Sequence, residues 1–234
     1  LSRAWDMYRH EPWLFVGLTA ITVIPVGILS AIAAVAAVDA QTTWRAVAVI
    51  LTAVIPAVLL LPVSGAAISV AAVRRLLGDP VGVGGSLEPV GARFWTLIGA
   101  LVLVTLGVIV GLFALIIPGI FLAILWLFAA QAVVIEGTGV RDALRRSGEL
   151  VRGAWWTVFA AYLLISIVTA LARVVLGAIG NAVFLALDGT AHDIAVGAWS
   201  TIVLLAVEPF FLIAIALLYA DRVVRTNGRL AVRP

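Results

Sequence analysis

The sequence predicts an all-α polytopic membrane protein: six transmembrane helices, paired as three helical hairpins, with cytoplasmic interfacial helices. Three observations carry this. First, only 12% of the 234 residues are charged and the mean hydropathy is +1.22. A soluble domain carries about 25% charged residues, so lipid must replace water over most of the surface. Second, six apolar runs meet or approach the about 20 residues that cross a bilayer. Third, the arginines are confined. The chain has no lysine, and thirteen of its fifteen arginines fall on one face when the runs are read as spans.

The expected spans are Trp13–Val38, Ala46–Val73, Phe94–Ile117, Gly119–Glu136, Trp155–Gly180 and Gly197–Ala220. Ile117-Pro118-Gly119 supplies a turn signal in an apolar stretch otherwise about twice what a bilayer needs. Arg3 and Arg9 precede the first span, and Arg74, Arg75 and Arg93 lie between the second and third. Arg141, Arg145, Arg146 and Arg152 lie between the fourth and fifth, and Arg222, Arg225, Arg229 and Arg233 follow the sixth. The opposite face has only Arg45, with Asp39, Asp188 and Asp193, while Arg173 lies inside the fifth span. Arginine bias on short loops sets orientation, so both termini are expected in the cytoplasm and the protein in the plasma membrane. Five or seven spans would scatter the arginines. Arg3 and Arg9 before an apolar run invite a signal-peptide reading. The run Trp13–Val38 is far longer than the about 7–15 residues of a signal core, so cleavage is not expected. The chain starts at Leu1, which leaves room for a longer natural chain.

An internal repeat is expected within one membrane domain spanning 1–234, with hairpin units of about 1–80, 81–137 and 138–228. Each unit opens with a polar-faced segment and an interfacial aromatic: Trp13, then Phe94-Trp95, then Trp155-Trp156. Pro118 to Gly137 and Pro209 to Gly228 share one spacing. Thr138–Gly153 reads as an interfacial helix, with Val140, Ala143, Leu144, Ser147, Leu150 and Val151 on one helical stripe. Arg141, Asp142, Arg145, Arg146, Glu149 and Arg152 occupy its other face, and Asp142 and Glu149 are three or four residues from arginines they can pair with. Such a helix is expected to lie in the headgroup plane with Leu144 and Val151 down.

The chemistry is sparse. Without cysteine there are no disulfides, thiolate metal sites or thiol nucleophiles. The two histidines are too few for a histidine metal cluster, and His192-Asp193 with Asp188 reads as a solvated outer loop. No metal and no cofactor are expected. Gly82-Val83-Gly84-Gly85-Ser86 lacks the Gly-Lys-Ser/Thr end of a phosphate loop and reads as a flexible connector. The pI near 10.2 comes from arginines beside apolar helices, so anionic membrane lipid, not nucleic acid, is the expected partner. Arg141, Arg145, Arg146 and Arg152 are the candidate contacts to a headgroup or to a membrane or cytoplasmic protein, since guanidinium binds phosphate bidentately. Arg173 and Glu208 each sit in an apolar run. An ionised side chain there costs at least about 2.5 kcal/mol, so the two are expected to form an intramembrane pair. Arg173 snorkelling outward is the other outcome.

Several stretches together resemble the membrane domain found beside, or fused to, glycerophosphodiester phosphodiesterases. They are Ile117-Pro118-Gly119-Ile120, Ala132-Val133-Val134-Ile135-Glu136-Gly137, Ala143-Leu144-Arg145-Arg146-Ser147, Leu150-Val151-Arg152-Gly153 before Trp155-Trp156, and Leu218-Tyr219-Ala220-Asp221 with Arg225 and Gly228. The likeness covers most of the chain and is strongest from Pro118 to Trp156. Two positions depart from it: Gly148 stands where the family has an aromatic, and Val223 stands where it has an arginine, with Arg222 before it. The resemblance implies a six-helix membrane fold without a known activity. The catalytic barrel of the phosphodiesterases takes about 250 residues, and nothing here supplies it. The expected function is therefore a non-catalytic membrane module that anchors, scaffolds or regulates a partner in membrane lipid or envelope metabolism. The alternative is a transporter or flippase for a lipid or small amphiphile, suggested by Arg173, Glu208 and the kink-permitting prolines. A membrane-embedded enzyme would want paired carboxylates or a histidine at one depth, and Glu208 stands alone.

Overall fold

The computed structural model describes residues 2–38, 43–187 and 189–228. Ten α-helices and one short 3₁₀ turn account for nearly all of them, and there is no strand among the described residues. In order they are α1 (Ser2–His10), α2 (Pro12–Val38), α3 (Thr43–Leu76), α4 (Val83–Ala92), α5 (Phe94–Ala114), α6 (Ile116–Leu125), α7 (Ala129–Glu136), α8 (Val140–Val151), α9 (Trp155–Val183) and α10 (Gly189–Asn227). Six segments are long and apolar enough to cross a membrane. They pair as three hairpins, α2–α3, α5 with α6–α7, and α9–α10, each preceded by a short helix.

Among the described residues, the fully buried side chains gather toward the arginine-bearing end. There the last turns of α3 bury Ala66, Ala67, Ile68, Val70, Ala71 and Val73 against α7, α10 and the start of α2. Small side chains let membrane helices approach closely, and Gly65 does so against Leu212 of α10, where a Cβ would lie 3.3 Å from it. Phe128 meets Tyr219 edge-on at 5.8 Å between ring centroids, joining the second hairpin to the third. The outer faces of α5, α6 and α9 stay exposed and apolar, as lipid-facing surfaces require.

Four boundaries differ from the sequence expectation. The turn after α5 falls at Leu115, and Pro118 sits in the first turn of α6, where its missing N–H costs nothing. The fourth span is broken at Trp126–Phe128 into α6 and α7. The break is held from outside the segment. The Ser147 hydroxyl donates to the Leu125 carbonyl at 2.8 Å and accepts from the Phe128 N–H at 3.0 Å. The glycine run is no connector, because Gly84, Gly85 and Ser86 lie inside α4. Buried Ser86 and Val90 anchor that helix, which offsets the roughly 1 kcal/mol that each glycine costs. Finally, α10 starts at Gly189, so His192 belongs to a helix and not to an open loop. Its ring nitrogen Nδ1 lies 3.0 Å from the Phe184 carbonyl. Asp39, Asp188 and the tail arginines Arg229 and Arg233 lie outside the described residues.

The α5–α6 tip is apolar throughout. Phe113 and Ile117 are 89% and 80% exposed. The Leu115 N–H donates to the Gly111 carbonyl, and its own carbonyl accepts from the Gly119 N–H. The break thus leaves little backbone unpaired, the condition for lipid contact. Phe121 stacks on Trp155, the first residue of α9, at 5.6 Å. Six residues of helix, about 9 Å at 1.5 Å each, separate Phe121 from the tip.

Candidate functional site

The charged end is organised around Glu136, the last residue of α7. Gly137 follows it in the left-handed conformation (φ 69°) and closes the helix. The turn into α8 then brings Arg146 back over the carboxylate. Arg146 Nε donates to both Glu136 oxygens, at 3.0 and 2.7 Å. The Tyr219 hydroxyl, from α10, donates to Glu136 Oε1 at 2.8 Å. Glu149 and Asn227 approach the same guanidinium at 3.7 and 3.5 Å. The Arg146 and Glu136 side chains are 14% and 20% exposed. Burial works against the Arg146 charge, but the hydrogen bond and charge of Glu136 outweigh it and hold its pKa above the ordinary value. One carboxylate thus ties α7, α8 and α10 together.

Other arginines at this end cap and strap the helices. A Cβ on Gly137 would lie 2.6 Å from Arg93 Nη2, so Arg93 lies across the C-terminus of α7, where a cation is favoured. Arg222 Nε donates to the Leu150 carbonyl at 3.0 Å, holding α10 to the last turn of α8. Arg75 bridges Glu11 at 2.6 Å and the Val81 carbonyl at 3.0 Å, joining the α1–α2 bend to the chain before α4.

The four candidate α8 arginines therefore separate. Arg146 is turned inward and occupied, which corrects its expected place in an open rim. Arg145 pairs at the surface with Asp142 (3.2 Å) and Glu149 (3.9 Å). Arg141 and Arg152 are exposed. The face of α8 bearing Ala143, Ser147, Leu150 and Val151 is buried against protein, with α5, α6 and α7 directly beneath it.

Arg173 of α9 and Glu208 of α10 meet. The Arg173 Nη2 donates to Glu208 Oε2. The Arg173 Nε is buried without a partner. Four cavities among the described residues are lined by other residues than these two. No group of three or more potential metal ligands occurs among the described residues.

Sequence reasoning missed Glu136 and Tyr219 as partners of Arg146. The signal was present: Ile135-Glu136-Gly137, Ala143–Ser147 and Leu218–Asp221 are three of the stretches that carry the family resemblance, and they converge here. At the two departures, Gly148 is buried with Leu125 3.8 Å from the place of its Cβ, and Val223 is buried in the core. Compared with known proteins, the chain matches no family model, no curated protein and no solved structure.

Proposed function

We propose that this chain is a non-catalytic plasma-membrane module, termini cytoplasmic, that anchors, scaffolds or regulates a partner in membrane lipid or envelope metabolism. The observation that carries this reading is the use made of the partly buried charge. Glu136, Arg146 and Tyr219 spend their hydrogen bonds on one another, and Arg75 is divided between Glu11 and the Val81 carbonyl. Fixed pairs of this kind build a rigid platform. The outer face of α8 is left over, with Arg141, Arg145 and Arg152 exposed on a helix whose other face is locked down. A short, rigid, charge-bearing helix suits contact with an acidic protein surface at the membrane. The resemblance to the phosphodiesterase-linked membrane domain points the same way. Photo-crosslinking side chains placed at 141, 145 and 152 in native membranes test it. A recurrent protein adduct at these sites, absent when the probe sits on lipid-facing Phe113, is expected; adducts with lipid alone would refute the reading.

Arg173–Glu208 favours the transporter reading, since an ion pair in a spanning hairpin is costly to keep for structure alone. Proteoliposomes decide it. Amphiphile or proton flux that Glu208→Gln abolishes would establish transport, and flux equal to protein-free liposomes would dismiss it.

A further inference from the structure

At the arginine-bearing end a cavity of 730 Å³ opens between four helices. Its size falls within the about 300–1,000 Å³ typical of small-molecule sites. The lining is segregated. Ala161, Leu164 and Ile165 of α9 and Ala214, Leu217 and Leu218 of α10 make an apolar floor. Ser2 and Arg3 of α1 and Asp221 of α10 make a polar mouth, beside Leu76 and Leu77. The wall at Leu164 is half exposed on a spanning helix, so the groove opens sideways onto hydrocarbon.

The charged groups at the mouth are Arg3 and Asp221. Asp221 is paired with Arg225 at 2.8 Å, turned along its own helix. Arg3 is exposed and makes no ion pair or side-chain hydrogen bond among the described residues. The helix that carries it is held in place. Ala4, its neighbour, is 1% exposed, and Trp5 meets Phe210 edge-on at 6.5 Å. A guanidinium carried by an anchored helix at the mouth of an apolar trough that is open to lipid matches an amphiphile with a negative head. Guanidinium binds phosphate oxygens through paired donors, and an acyl chain fills an apolar trough that water leaves unsatisfied.

We propose that this groove, bounded by α1, α3, α9 and α10, binds one anionic phospholipid from the surrounding leaflet, its acyl chain along Ala214–Leu218 and its headgroup phosphate at Arg3. The site is distinct from the α8 face and requires only that the chain sit in a bilayer, so it stands or falls separately from the scaffold reading.

Native mass spectrometry of the purified chain, titrated with phosphatidylglycerol or phosphatidylcholine, tests it. The wild type is expected to hold one phosphatidylglycerol about fivefold more tightly than phosphatidylcholine, the preference one arginine near a headgroup gives. Arg3→Gln should erase the preference and keep chain binding. Leu164→Trp, a substitution at the exposed rim that leaves the fold alone, should weaken both lipids, as should Ala214→Phe. Wild-type binding by both Arg3→Gln and Leu164→Trp would overturn the site. So would a preference that survives Arg3→Gln and vanishes in an Arg141→Gln, Arg145→Gln, Arg152→Gln triple variant, or a wild type that does not distinguish the lipids.

Discussion

Removing the Glu136 carboxylate is the sharpest perturbation of the charged end. In Glu136→Ala, Arg146 keeps its charge but loses both short hydrogen bonds, and Glu149 and Asn227 remain only at 3.7 and 3.5 Å. The Tyr219 hydroxyl, on a side chain that is fully buried, loses its acceptor. Breaking a fully buried pair costs about 3–5 kcal/mol, but Arg146 and Glu136 are partly exposed and Glu149 stays near. A hydrogen bond to a charged group is worth about 1.5–3 kcal/mol, and an orphaned hydroxyl adds about 1. Roughly 2.5–4 kcal/mol is therefore expected. At about 2–4 °C per kcal/mol for a chain of this size, the melting temperature in detergent should fall by roughly 5–15 °C. Arg146→Ala should cost a similar amount, and the Glu136→Ala/Arg146→Ala pair should show coupling of about 1–3 kcal/mol. Arg145→Ala, at 74% side-chain exposure, should stay within about 0.5 kcal/mol, as surface pairs do. Equal losses in Glu136→Ala and Arg145→Ala, or a cycle with no coupling, would refute this reasoning.

Three further outcomes follow from the geometry. Gly137→Ala should lower the melting temperature chiefly from the positive φ, with a smaller part from displacing the flexible Arg93 guanidinium. Adding Arg93→Ala should restore only part of it, because backbone strain of about 1 kcal/mol remains; full restoration would show that strain is absent. Arg173→Leu and Glu208→Leu should each destabilise the protein by more than the double variant does, since removing both charges leaves no orphan; additive losses would show that the two groups act separately. A cysteine at Phe113 or Ile117 should react with an impermeant maleimide only from the face where the start of α10 reacts, because six crossings put the α5–α6 tip on that side; labelling from the arginine-bearing face would show that the second hairpin does not cross.

The spans and the amphipathic stripe of α8 were legible because hydropathy and helical period are local properties. Arg173 and Glu208 could be singled out because each is the lone charge in an apolar run. The break at Trp126–Phe128 was not legible. Trp-Leu-Phe reads as uninterrupted span, and what stops the helix is the hydroxyl of Ser147, 19 residues further on. The helix through Gly84 and Gly85 was missed for a related reason: local propensity favours a loop, and burial of Ser86 and Val90 overrides it. Arg146 and Arg145 are adjacent and chemically identical in sequence. Only the fold, which returns Glu136 from 10 residues away and Tyr219 from 73 residues away, distinguishes the inward one.

The proposed orientation requires guanidinium charge to be held in one water layer. The chain has no cysteine, so single cysteines report position cleanly. Intact cells carrying Ala191→Cys or Thr226→Cys, two ends of α10, are treated with a membrane-impermeant maleimide before and after permeabilisation. Ala191→Cys should react at once and Thr226→Cys only after permeabilisation; the reverse order, or prompt labelling of both, would contradict it.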